Sequence, residues 1–356
     1  MSLTVGRALR GLATIGIGAA GGLLFFALNL PLPWVLGSLA ASALVARVSG
    51  FRPALPPSWR SLAMVAIGTM LGTGFTEDVV TRSGSWALSL VAMSLLSLGF
   101  CLMAYTVFRR WSDMSPQTAL FAAIPGGLSV VSTLAEEYRA ETNRVVLCHT
   151  ARLVVLLVSA PLVVQMLSGI DLAEANGAIF HAAEPFDPMR HGLLVLVAAA
   201  SWGVARWLKL PSGVLLVPLL SSAVLHATGT LTVHVPPLLS VLAQVVIGSG
   251  VGARFTQYTA RQILRDGWLA ALVGAGLAVG SLVGAVLVAP LVGEGVAPLF
   301  LAYLPGGAPE LGVVALALMI DPAMVAAHHV LRVFLIIAVL PSTVRLVGDG
   351  RSDRKA

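Results

Sequence analysis

Apolar residues run along this chain in long blocks, with polar residues gathered at the block edges. The blocks fall at 11–30, 33–47, 61–75, 86–108, 117–135 and 145–168, and again at 191–206, 212–227, 237–253, 268–290, 297–319 and 323–344. Most are apolar on every side, unlike a half-buried strand or the one-sided stripe of a surface helix. A helix rises 1.5 Å per residue, so about 20 such residues cross a hydrocarbon core of about 30 Å. The pattern predicts an all-α polytopic membrane protein with about ten transmembrane helices and no folded soluble domain.

Composition supports that reading. Of 356 residues, 57% are hydrophobic and 11% are charged, against roughly 25% charged in a soluble domain, and mean hydropathy is +0.92. The net charge of +6 suggests nucleic acid at first sight. Yet the basic residues stand in ones and twos beside apolar blocks (Arg7/Arg10, Arg109/Arg110, Arg206/Lys209), the signature of cytoplasmic loops, so no nucleic-acid partner is expected. Cys101 and Cys148 lie within apolar blocks with no partner spacing, which excludes a disulfide framework or a metal knuckle. Arg7 and Arg10 before an apolar block imitate a signal peptide. The block is long and no small-x-small site closes it, so an uncleaved first helix is expected.

The chain is one unit written twice. Pro56-Pro57, Ala63 to Gly68, Gly72 and Phe75-Thr76 recur as Pro236-Pro237, Ala243 to Gly248, Gly252 and Phe255-Thr256, a shift of 180 residues. The same shift carries Pro125-Gly126-Gly127 onto Pro305-Gly306-Gly307, His149-x-x-Arg152 onto His329-x-x-Arg332, and Pro161 onto Pro341. The expected organisation is a first membrane repeat at 1–168, an acidic extracytoplasmic linker at 169–190, a second repeat at 191–346 and a basic cytoplasmic tail at 347–356.

Positive-inside asymmetry places the linker, with Asp171, Glu174, Glu184 and Asp187, outside and both termini in the cytoplasm. Six crossings per copy would return the linker to the inside, so one block per copy does not cross. The block broken by Pro-Gly-Gly is the candidate, because these residues end helices and permit a re-entrant turn. An odd number of crossings makes the two repeats inverted relative to each other.

The Pro-led segment Pro33-Trp34-Val35-Leu36-Gly37, the segments Ala122-Ala123-Ile124-Pro125-Gly126-Gly127 and Tyr303-Leu304-Pro305-Gly306-Gly307-Ala308-Pro309-Glu310, and the helix with Ala327-His328-His329-Val330-Leu331-Arg332 resemble the AbrB-type integral membrane proteins. That bacterial family of duplicated domains is distinct from the small soluble DNA-binding protein of the same name. Its members carry the labels ammonia monooxygenase or transcriptional regulator. The resemblance spans residues 11–345 and implies fold and topology more than chemistry. More distantly, the arrangement is similar to the cation/proton antiporter and anion transporter superfamily. Arg139-Ala140-Glu141 departs from the pattern, where Gly-Ala-Asp is expected.

The two labels meet the residues poorly. A metal monooxygenase needs several His or carboxylate ligands at one depth, and of seven His only His149, His328 and His329 lie in a plausible core. No metal, no cofactor and no catalytic residue is expected, so an enzyme ranks last. A DNA-binding regulator needs a basic soluble module, which loops this short cannot hold. Any effect on gene expression is expected to be indirect.

The candidate solute and ion site is built from Pro125, Gly126, Gly127 and Ser129, from Pro305, Gly306, Gly307 and Glu310, and from His149, Arg152, His329 and Arg332. Breaking a helix at membrane depth frees backbone groups that must be buried in protein or face water, and the half-helix N-termini that follow suit an anion. The alternative is a kink that serves packing. Glu310, whose first-copy counterpart is Val130, is an ionisable group in an apolar block and a candidate proton or cation carrier; otherwise it is a structural carboxylate neutralised by a partner. Arg152 and Arg332 can bind a carboxylate, with His149 and His329 on the same helical face. Otherwise they snorkel or cap half-helix carbonyls. Gln244, with Met64 as its counterpart, and the Ile-Gly-Thr and Ile-Gly-Ser runs at 67–69 and 247–249 are weaker candidates for lining a path.

The expected function is an inner-membrane secondary transporter or permease for a small polar or anionic solute, working by alternating access and coupled to protons or cations. The alternative is a membrane sensor or regulator without flux. The expected partners are the lipid bilayer, a small-molecule solute and, from the glycine-rich helices, a second copy in a homodimer.

Overall fold

Proline opens a helix at one matching place in each half of the chain, Pro57 and Pro237, where its missing N–H costs nothing and its fixed φ suits the first turn. The computed structural model describes residues 2–125, 128–181, 185–210 and 212–349. In chain order the helices are α1 (Ser2–Ala27), α2 (Ser38–Val48, entered through a wide π-type turn at Pro33–Gly37), α3 (Pro57–Thr73), α4 (Glu77–Arg82), α5 (Ala87–Trp111), α6 (Pro116–Ala123), α7 (Leu128–Glu137) and α8 (Thr142–Ser168). They continue as α9 (Leu172–His181), α10 (Pro188–Leu208), α11 (Gly213–Ala227), α12 (Pro237–Ala253), α13 (Ala260–Gln262), α14 (Trp268–Val292), α15 (Val296–Tyr303), α16 (Ala308–Ala317) and α17 (Pro322–Asp349). No strand occurs among the described residues.

Seven helical stretches are long and apolar enough to cross a membrane: Gly6–Ala27, Glu77–Trp111, Thr142–Ser168, Pro188–Leu208, Pro237–Gln257, Ala260–Val292 and Pro322–Leu340. Shorter apolar helices occur at Pro33–Val48, Gly213–Ala227 and Ala308–Ala317. Leu95, Leu102, Leu196, Leu287 and Leu291 on these helices are each more than three-fifths exposed. Outward-facing leucines on apolar helices of this length identify a multi-pass membrane protein, whose outer faces meet lipid rather than water.

The blocks expected at 117–135 and 297–319 are each divided. α6 and α15 have 8 residues, and α7 and α16 have 10. At 1.5 Å per residue a ten-residue helix reaches about 15 Å, half the hydrocarbon thickness. The segment 169–190 holds a helix, α9, that periodicity did not suggest.

The duplication is written into the backbone. The non-glycine residues with positive φ among those described form three pairs at the 180-residue shift: Asn29 and Lys209 (52° and 49°), Leu32 and Ser212 (48° and 57°), and Arg139 and Met319 (57° and 55°). A left-handed conformation costs a residue with a Cβ about 1–2 kcal/mol, so local sequence alone does not select it twice. At Arg139 the reason is a closed helix end. The Ala140 N–H donates to the Ala135 carbonyl and the Arg139 N–H to that of Glu136; Ile320 to Ala315 and Met319 to Leu316 repeat both bonds. The tight loop therefore forms without the glycine expected at 139.

The helices gather into two compact units. The first comprises Met1–Gly84, Pro161–Tyr258 and Pro309–Ala323; the second comprises Ser85–Ala160, Thr259–Ala308 and Met324–Ala356. Each unit thus draws matching helices from both sequence copies. In the first, α3 packs on α11 and α12 on α2. Gly72 lies against the Leu219 carbonyl and Ser222, while Gly252 lies against the Leu39 carbonyl and Ser42, so a Cβ at either glycine has no room. Each contact maps onto the other by the 180-residue shift with the copies exchanged, the reciprocity of a two-fold contact. Gly68 and Gly248 pack the same way on the Leu215 and Val35 carbonyls, so close helix packing accounts for the glycines of the runs at 67–69 and 247–249. In the second unit α5 packs against α6, α14 and α15, and a core of Leu120, Phe121, Ile124, Val131, Val145 and Leu340 surrounds α6.

Candidate functional site

The short helices α6 and α15 end where Pro125 and Pro305 forbid another turn, so their last carbonyls lack the N–H partners a continuing helix would give. At the α15 end the Gly306 N–H donates to the Leu304 carbonyl at 3.0 Å and Ser281 Oγ to that of Tyr303 at 3.3 Å. Two buried arginines supply the donors. Arg152 Nη1 donates to the carbonyls of Ala122 and Ala123 (3.3 Å each), and Nη2 donates to that of Ile124 at 2.8 Å. Arg332 Nη2 donates to Ala302 (2.8 Å) and Tyr303 (3.0 Å), and Nη1 donates to Leu304 at 2.8 Å. The carbonyls correspond one for one at the 180-residue shift.

Each arginine is held by the histidine one turn earlier. Arg152 Nη2 donates to His149 Nδ1 at 3.3 Å, and Arg332 Nη1 donates to His329 Nδ1 at 3.1 Å. Since Nδ1 accepts, the proton of neutral His149 sits on Nε2, which donates to the Phe121 carbonyl at 2.9 Å. Arg332 Nε donates to Ser97 Oγ at 3.1 Å, so all five of its N–H groups are engaged. Arg332 is 2% and Arg152 3% exposed. Placing an arginine at membrane depth costs about 3 kcal/mol on insertion scales. Charge-assisted hydrogen bonds at about 1.5–3 kcal/mol each, with the negative end of a helix dipole, offset that cost. Of the roles open to these residues, this is the capping of half-helix carbonyls.

A second buried chain lies beside Arg332. Tyr303 Oη donates to Ser89 Oγ (3.3 Å), which lies 2.6 Å from His328 Nε2, and His328 Nδ1 is 2.8 Å from the Met324 carbonyl. A carbonyl only accepts, so Nδ1 carries the ring proton and Ser89 donates to Nε2. The corresponding positions are Ala123, Leu269 and Cys148, so this chain belongs to one copy alone. Sequence reasoning passed over Ser89 and Tyr303; the one signal was the doubled His328-His329.

The structure brings Pro125, His149, Arg152, Pro305, Gly306, Gly307, His329 and Arg332 into the second unit. Gly126 and Gly127 lie outside the described residues, and so does the side chain of Ser129, which belongs to α7. Glu310 belongs to the first unit. It sits in the first turn of α16, 4% exposed, within electrostatic reach of Arg254 at the end of α12.

A further polar cluster falls in the second unit. Arg144 donates to both oxygens of buried Asp266 (3.0 and 2.8 Å) and to Asp113 at 2.6 Å, and Arg265 joins Asp266 at 3.1 Å. The Arg144 hydrogen bond holds the exposed Asp113 carboxyl below the usual carboxylate range. Among the described residues no group of three or more His, Cys, Asp or Glu side chains is placed to hold a metal ion.

Residues 34–348 match the family model described as "Transition state regulatory protein AbrB". The chain is similar to "Uncharacterized protein YhjN" of Bacillus subtilis (strain 168), 27% identical over 98% of this chain and 95% of the relative. It is also similar to "Putative regulator AbrB" of Escherichia coli (strain K12), 26% identical over 93% and 94% of the two chains.

Proposed function

Because the chain belongs to the AbrB family of integral membrane proteins, we propose that it is a secondary transporter or permease of the bacterial inner membrane. It moves a small polar or anionic solute by alternating access between two inverted repeats, with both termini in the cytoplasm. The observation that carries this reading is the pair of interrupted helices, each ending on an arginine that binds three carbonyls at corresponding positions of its own copy. Broken helices in corresponding positions of two halves are how inverted-repeat transporters build a midplane site. Arginines whose terminal nitrogens are taken up by carbonyls and a histidine hold the breaks as rigid backbone and leave binding to other groups. Glu310 is the coupling group in this reading: a 4% exposed carboxylate that takes no hydrogen bond from the described residues is poised to exchange a proton or cation.

The test is solute flux in proteoliposomes holding the full chain, driven by a proton or sodium gradient across a panel of small organic solutes. Gradient-dependent flux that Glu310→Gln uncouples supports the reading. Flux indifferent to that substitution removes the coupling role, and solute binding with no flux under any gradient removes transport. That last outcome would favour a second reading, a membrane sensor that affects gene expression indirectly, to which the word regulator in the family description and in one relative's name points.

A further inference from the structure

The first unit contains a cavity of about 450 Å³ that neither interrupted helix break occupies. Its volume lies in the range of small-molecule sites. Most of its wall is apolar, including Val313 and Leu316 of α16, and among the described residues no Asp, Glu, Lys or Arg lines it. The N-terminal turn of α12 and the C-terminal turn of α16 both border it, so dipole ends of opposite sign offset one another there. The titratable groups on the wall are His191 and His234.

Two wall side chains are more than nine-tenths buried yet hold polar atoms that the protein does not use. Gln244 is 4% exposed, and its one hydrogen bond runs from Nε2 to Ser240 Oγ at 3.2 Å. Oε1 and the second N–H of Nε2 engage none of the described residues. His191 is 7% exposed and is tied through Nδ1 to the Asp187 backbone, which leaves Nε2 without a partner among the described residues. These atoms are not among the fully enclosed unpartnered ones, so they open onto the cavity and are available to whatever fills it. The duplication adds a second pointer. The positions corresponding to Ser240 and Gln244 are Arg60 and Met64, so this polar pair is absent from the other copy.

We infer that this cavity binds an uncharged organic solute bearing a carboxamide or similar adjacent donor–acceptor pair on an apolar body, with Gln244 reading the polar group. A carboxamide meets Oε1 with its N–H and Nε2 with its carbonyl, and its body fills the apolar wall. A carboxylate of the same shape finds no Lys or Arg among the described wall residues and sets its charge against Oε1, which disfavours it. The inference deepens the transport reading by naming its solute class, and it rests on that reading only for the solute's fate after binding.

The experiment is equilibrium dialysis of the full chain in lipid nanodiscs against phenylacetamide and N-acetylphenylalaninamide, each paired with its carboxylate, phenylacetate and N-acetylphenylalanine. Saturable binding of at least one amide, about tenfold or more tighter than its carboxylate, is expected. Gln244→Met, close in shape, is expected to weaken amide binding about tenfold, with helical content and melting temperature kept. Leu316→Trp, which narrows the cavity without touching Gln244, is expected to weaken it as well. Absence of saturable amide binding, equal binding of amide and carboxylate, or wild-type affinity in Gln244→Met overturns the site. Amide binding without flux leaves the site and ends the transport reading; amide flux that survives Gln244→Met does the reverse.

Discussion

Arg332 grips the last three carbonyls of α15 as Arg152, 180 residues earlier, grips those of α6. The two differ at Nε. Arg332 adds a bond to Ser97, whose counterpart in the second copy, Leu277, has no hydroxyl to offer. Both guanidinium groups act on backbone, so what they set is the shape of the helix break.

Removing Arg152 strands three buried carbonyls at about 1–3 kcal/mol each, whereas removing Arg332 strands that of Ala302 and leaves those of Tyr303 and Leu304 to Ser281 and the Gly306 N–H. Arg152→Leu is expected to lower stability by at least about 3 kcal/mol and Arg332→Leu by at least about 1 kcal/mol, read by denaturant unfolding in detergent. Arg332→Lys keeps the charge but not the fork, and should fall between wild type and Arg332→Leu. Loss of under about 1 kcal/mol in either leucine variant would show that the caps do not hold the breaks.

Arg139 and Met319 occupy left-handed positions that glycine fills without strain, and both side chains are exposed. Arg139→Gly and Met319→Gly should each raise stability by about 0.5–1 kcal/mol after the added entropy of the unfolded chain is counted. A higher melting temperature in each variant, and additive gains in the double variant, would be the result that agrees.

Gly72 and Gly252 are close-approach positions, whereas Gly16 of α1 has open space where a Cβ would go. Alanine at 72 or 252 must push aside backbone, at about 1–3 kcal/mol, while Gly16→Ala gains helix propensity and should be neutral or better. Thermal melts of the three variants side by side test the contrast, and equal losses would contradict it.

Asp113 stays ionised lower in pH than an ordinary carboxylate because Arg144 donates to it. A depressed folded-state pKa gives stability that is present above the unfolded carboxylate value, about 3.9, and lost as pH falls through the folded value. The melting-temperature advantage of wild type over Asp113→Asn should therefore be small and level between about pH 5 and 7 and vanish below about pH 3, and it should shrink in high salt because Asp113 is exposed. An advantage that grows on acidification would contradict this.

Much of the arrangement could be read along the chain. The apolar blocks located the long helices, the 180-residue shift paired the elements, and Pro-Gly-Gly marked both interruptions. The His-x-x-Arg spacing also foretold that each pair shares a helix face. Less legible was what the arginines hold, because their partners are main-chain carbonyls about 30 residues away and any residue type presents a carbonyl. Ser89 and Asp266 gave no sign at all: a serine in an apolar helix and an aspartate beside Arg265 read as ordinary until the fold sets them against His328 and Arg144.

Hydropathy, proline placement and internal repetition act through neighbours in the chain, so the sequence by itself determined a helical membrane protein of two matched copies with an interrupted helix in each. Tertiary structure alone decided that matching helices of both copies enter each compact unit, that Gly72 and Gly252 are its reciprocal contacts, and that Glu310 and the arginine caps fall in different units. Those outcomes depend on which carbonyl, hydroxyl or Cβ lies across a contact, a relation between distant residues that no local pattern encodes.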